Sequence, residues 1–125
     1  MNVTLPRGLS IAFVLYSTLT IALFPGLVLH IGSVLPHDLG DPVLSTWVLW
    51  WNAHRVPFTA SWWDGLFFFP MHGALALSDH RVGLGVIASP VQWLGGSPVL
   101  GHNATLLLTF PLSATAAHAL AWRLT

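Results

Sequence analysis

Two long stretches without a charged residue, Gly8 to Pro36 and Val82 to Trp122, bracket every acid this chain owns. Each stretch exceeds the ~20 apolar residues that cross the hydrocarbon core of a bilayer. The acids are Asp38, Asp41, Asp64 and Asp79, and Glu and Lys are absent. An acid placed in hydrocarbon costs at least ~2.5–3.5 kcal/mol, so a chain of this pattern keeps its carboxylates at water or in a functional cavity. The expected class is therefore an all-α membrane protein, with the segment between the two uncharged runs as the part that meets water.

Composition enters as a check on that class. Charged residues make up 6% of the chain and hydrophobic residues 54%, against about 25% charged in ordinary soluble domains. A net charge of zero with no basic cluster offers nothing to nucleic acid. The lack of cysteine excludes disulfides and thiolate metal sites. Seven histidines remain as titrating groups or ligands, but His37, His54, His72 and His80 are spaced too irregularly for a metal signature.

The uncharged runs divide into about three transmembrane helices. The first covers about 9–31; it is too long for a signal-peptide core and has no cleavage pattern before Asp38. Pro25-Gly26 predicts a kink inside it. Tyr16, Ser17, Thr18 and Thr20 either bond across to another helix or back onto their own. Leu94-Gly95-Gly96-Ser97-Pro98 is a turn signal that splits the second run into spans at about 82–94 and about 101–122. Ser113, Ala114, Ala116 and Ala117 in the last span permit close helix packing. His30 and His118 are expected in a bundle interior. Arg7 favours a cytoplasmic amino terminus, which makes the loop at about 37–81 extracytoplasmic.

That loop is too aromatic for a disordered linker. Asp41-Pro42 reads as a helix start, with Asp as N-cap and Pro at the first helical position. Over Val43 to Val56, Trp47, Trp50, Trp51 and His54 share one helical face, opposite a polar set that includes Thr46 and Asn52. Such a helix is expected to lie along the membrane surface. Trp62-Trp63-Asp64 through Phe67-Phe68-Phe69-Pro70 forms a second interfacial cluster, and Ser78-Asp79-His80 opens the next span.

The order Gly40-Asp41-Pro42, Trp47, Trp50-Trp51, Phe69-Pro70, Ser78-Asp79-His80, Pro90, Asn103 and Arg123-Leu124-Thr125 resembles the N-terminal portion of bacterial polytopic glycosyltransferases. These belong to the GT-C superfamily, among dolichyl-phosphate-mannose-type and RgtA/B/C/D-like transferases. The resemblance implies a multi-pass protein of the bacterial cytoplasmic (inner) membrane that moves a sugar from a polyprenyl-phosphate donor to an extracytoplasmic acceptor. It also implies that further helices of a longer protein complete the donor groove, so that this portion alone is expected to be inactive. By the same resemblance Asp41 is the catalytic base, matching the family's early loop Asp.

The chemistry of such a transfer asks for a base at the acceptor hydroxyl and for groups that receive a leaving phosphate. Asp79 with His80 is expected to orient the acceptor or to support a divalent metal ion. Arg55 and Arg81 are the candidate phosphate-binding residues. Plainer roles compete at each position: Asp41 and Ser78-Asp79 as helix caps, Asp38 and Asp64 as solvated loop residues. A non-enzymatic membrane scaffold or subunit is the alternative function. A transporter portion is a third, without the paired interrupted helices such folds repeat. Asn2-Val3-Thr4 and Asn103-Ala104-Thr105 are glycosylation sequons in poor positions, at a cytoplasmic terminus and a membrane edge.

Overall fold

The computed structural model describes residues 7–37 and 40–124; Asp38 and the sequon at Asn2 lie outside the described residues. Every regular element among the described residues is helical: α1 (Arg7–Leu23), α2 (Pro25–Leu29), α3 (Asp41–His54), α4 (Ala60–Trp63), a 3₁₀ turn (Ala74–Leu77), α5 (Val82–Trp93) and α6 (Pro98–Leu124). The chain divides into two units, one from the segments up to Leu29 and from Leu106 onward, the other from His30–Thr105.

In the first unit the expected kink becomes a break. The amides of Phe24 and Val28 bond to the carbonyls of Thr20 and Phe24, whereas Pro25 has no N–H to continue the ladder. Thr18 and Thr20 bond back to the carbonyls of Val14 and Tyr16. Tyr16 alone of the polar set reaches another helix, its hydroxyl lying 3.4 Å from His118 Nδ1. Phe24 stacks on Phe110 at 5.2 Å between ring centres. Little else of α1 is covered: Ile11, Val14, Leu15, Ile21 and Leu23 are all exposed.

Among the described residues α6 alone is long and apolar enough to cross a membrane. Its 27 residues reach roughly 40 Å at 1.5 Å per residue. Only 11% of its most apolar window is buried. Gly8–Leu23 and Val82–Trp93 are apolar but shorter.

The second unit is built on α3 against α5, with Val48, Trp51, Trp62 and Leu75 as its core. Two expectations about α3 change here. The N-cap is Gly40 rather than Asp41, and no side chain caps the helix. Pro42 follows in the first turn, where a missing N–H costs nothing. The polar set opposite the tryptophans does not face solvent: Thr46 is 8% and Asn52 6% exposed. The reason is that Asn52 finds internal partners, donating from Nδ2 to the His80 carbonyl and accepting from Trp62 Nε1. Trp51 also leaves the expected surface face, buried with its Nε1 donating to the Trp62 carbonyl.

The α3–α5 approach depends on Gly85, where an added Cβ would stand 3.0 Å from Asn52 Cβ. The turn signal after α5 is realised as a Schellman ending. Gly95 takes φ +91, and the amides of Gly95 and Gly96 bond to the carbonyls of Gln92 and Val91. Ser97 Oγ then accepts from Leu100 N and caps α6, with Pro98 as its first residue. Asn103, fully buried, donates to the carbonyls of Ile31 and Val34, each at 2.7 Å. His30, expected in an interior, is exposed.

Candidate functional site

Three of the charged residues singled out by sequence meet in one small cavity. Asp41, Asp79 and Arg81, together with Leu44, Val48 and Ser78, line a void of about 110 Å³. Asp41 occupies the first turn of α3, and Arg81 is the N-cap residue immediately before α5. The cavity thus sits at two helix N-termini, whose partial positive charge favours anions. Arg81 Nη2 pairs with Asp79 Oδ2 at 3.7 Å. Asp79 is 85% exposed in its side chain and Arg81 32%, and pairs this open contribute only about 0.2–1 kcal/mol. The guanidinium can therefore exchange the carboxylate for another anion at little cost.

Arg81 also has an unusual backbone, with φ 48 and ψ 32 in the left-handed region. For a residue with a Cβ this costs on the order of 1 kcal/mol and persists only where the surroundings impose it. The surroundings are identifiable: the His80 carbonyl is held by Asn52, and the Arg81 carbonyl accepts the first helical bond of α5 from Gly85 N at 2.9 Å. Neither Ser78 nor Asp79 caps α5, contrary to the capping expectation, because Arg81 takes that place without a side-chain bond.

His80 and Arg55 fall outside the cavity. The His80 ring lies 5.9 Å from Trp62 and 6.1 Å from Trp63 between centres, so the structure places it against the indoles while its neighbour Asp79 faces the void. Arg55 stands 4.9 Å over the Trp51 ring and lines a different, larger cavity between α3 and α5. The two arginines do not converge. Among the described residues no group of three or more His, Asp or Glu side chains gathers to hold a metal.

Asp64, a loop residue whose side chain is 44% exposed, also has defined partners. It accepts from Gly73 N at 2.7 Å, and His72 Nδ1 lies 3.4 Å away. The Gly73 amide, and secondarily His72, hold its carboxyl below the usual carboxylate value. Asn52 and Gly85 are the residues sequence reading missed. The available signal was an amide in the middle of a tryptophan-rich helix and a glycine at helical interior spacing in the next. Comparison of the chain with protein-family models, curated proteins and solved structures gave no match.

Proposed function

We propose that this chain takes part in sugar transfer at a membrane surface, as part of a multi-pass GT-C-type glycosyltransferase that uses a polyprenyl-phosphate sugar. The observation that carries the reading is the meeting of Asp41, Asp79 and Arg81 in one cavity at two helix N-termini. Membrane residence is supported by α6 and by the apolar surface that α1, α5 and α6 leave exposed, since patches of that extent rarely face water.

In this reading Arg81 releases Asp79 and takes a phosphate oxygen of the donor, as a guanidinium fork does. The helix ends add positive potential at the same point. Asp41, exposed in the first turn of α3, accepts the proton of the acceptor hydroxyl. Asp79, freed from Arg81, orients that hydroxyl by accepting a hydrogen bond. His80 supports the site through its backbone, and Arg55 has no part in it.

Because in this reading further helices complete the donor groove, the test is titration of the detergent-purified full-length protein with an undecaprenyl-phosphate sugar. Binding is expected, with Arg81→Gln raising Kd by about tenfold, as loss of a charge-assisted hydrogen bond does, and Asp41→Asn leaving Kd nearly unchanged. An unchanged Kd in Arg81→Gln, or no binding, overturns the reading. A second reading, a non-enzymatic packing subunit, is favoured by exposed Ser113, Ala116 and Ala117 on α6 and predicts the no-binding outcome.

A further inference from the structure

The larger cavity between α3 and α5 shares no lining residue with the acid-bearing one. Its volume of about 570 Å³ falls in the range of about 300–1,000 Å³ typical of small-ligand sites. Val82, Val86, Pro90 and Trp93 give it one apolar wall from α5. Val86 is 71% and Trp93 70% exposed, so that wall is uncovered. Trp93 is nevertheless fixed, its Nε1 donating to the Ala53 carbonyl of α3 at 2.8 Å.

Arg55 is the permanent cation at this cavity, beside the exposed imidazole of His54, and no carboxylate lines it. Its guanidinium rests over the Trp51 ring, a contact that orients the group while leaving its N–H edge for an acceptor. An apolar trough with one oriented, uncompensated cation at its rim is complementary to a molecule with one anionic head and an apolar tail. A small soluble anion would leave the α5 wall exposed to water, and a zwitterionic lipid would bring its own ammonium toward Arg55.

We propose that this cleft binds one anionic phospholipid of the bilayer, its phosphate on Arg55 and an acyl chain along Val82, Val86, Pro90 and Trp93. The proposal rests on membrane residence but not on sugar transfer, so lipid binding and donor binding can fail separately.

Native mass spectrometry of the detergent-purified chain, with phosphatidylglycerol and phosphatidylcholine at equal concentration, tests it. Phosphatidylglycerol is expected to be retained severalfold better, because the choline ammonium of phosphatidylcholine brings a like charge toward Arg55. Arg55→Gln is expected to abolish that preference. Val86→Trp, at an exposed position that tolerates bulk, is expected to lower retention of both lipids by filling the trough. Arg81→Gln, at the other cavity, is expected to keep the preference. Equal retention of the two lipids by the unaltered chain, or an undiminished preference in Arg55→Gln, overturns the proposal. Displacement of the lipid by glycerol phosphate at the same concentration also overturns it, because the site would then read a soluble anion.

Discussion

The two units differ in what their polar groups reach: hydroxyls bond back to their own helices in both, as Ser45, Thr46 and Thr105 also do, but the long cross-element amide and indole links belong to one. In the unit of α1, α2 and the later part of α6, hydroxyls turn back on their own helices, as Thr18, Thr20 and Thr109 do, and the outward surface is hydrocarbon. In the His30–Thr105 unit, amide and indole groups reach across elements to distant carbonyls, through Asn52, Trp51, Trp93 and Asn103. Helices of the first kind carry little information about register. The second kind is cross-linked from within, and the candidate site is found there.

The contrast can be broken most sharply at Asn52. Asn52→Ala strands the Trp62 indole N–H and the His80 carbonyl, and leaving two such groups unpaired costs on the order of 2–4 kcal/mol. Thermal unfolding in detergent, followed by tryptophan fluorescence, is expected to show that loss together with weaker donor binding, since the Arg81 backbone loses its brace. If stability is unchanged, the His30–Thr105 unit is not held by its polar links. Gly85→Ala tests the same contact from the α5 side. Its Cβ forces Asn52 to give way by a few tenths of an ångström, and overpacking of this kind costs roughly 1–3 kcal/mol.

The next effect is local and depends on pH. Asp64 has a folded value below its unfolded one, so its contribution is fully present above the ordinary carboxylate value and is lost as pH falls through the lowered folded value. Amide exchange at Gly73 is expected to accelerate in that acid window while the amides of α3 stay protected; simultaneous loss of both would mean the clasp is not a local device. Smallest is Tyr16→Phe in the other unit, which removes one long contact to His118 and is expected to cost less than about 1 kcal/mol. A loss as large as that of Asn52→Ala would erase the distinction between the units.

What the sequence made legible was punctuation. Pro25, the Leu94–Pro98 turn and Pro42 act on their immediate neighbours, and the helix limits at Val82 and Trp93 fell within a residue of expectation. Caps failed by one position or more, because Gly40 and Arg81 adopt the cap places without side-chain help. The helical period grouped the α3 tryptophans on one face but gave no sign that Thr46 and Asn52 would be buried. The burial of Asn52 is decided by partners 10 and 28 residues away, which a local pattern does not contain. For the same reason Asp41, Asp79 and Arg81 were separately visible as charges, while their meeting, and the departure of His80 and Arg55 from it, required the fold.

Asn103 gives its sequon a second meaning. Both hydrogens of its amide are engaged by the turn at Ile31 and Val34, and attaching a glycan there would replace one of them. In a cell that modifies Asn103-Ala104-Thr105, sugar can be added only before that turn closes. The glycosylated fraction would then count chains caught in synthesis, making Asn103 a clock for the order in which the two ends of the His30–Thr105 unit come together.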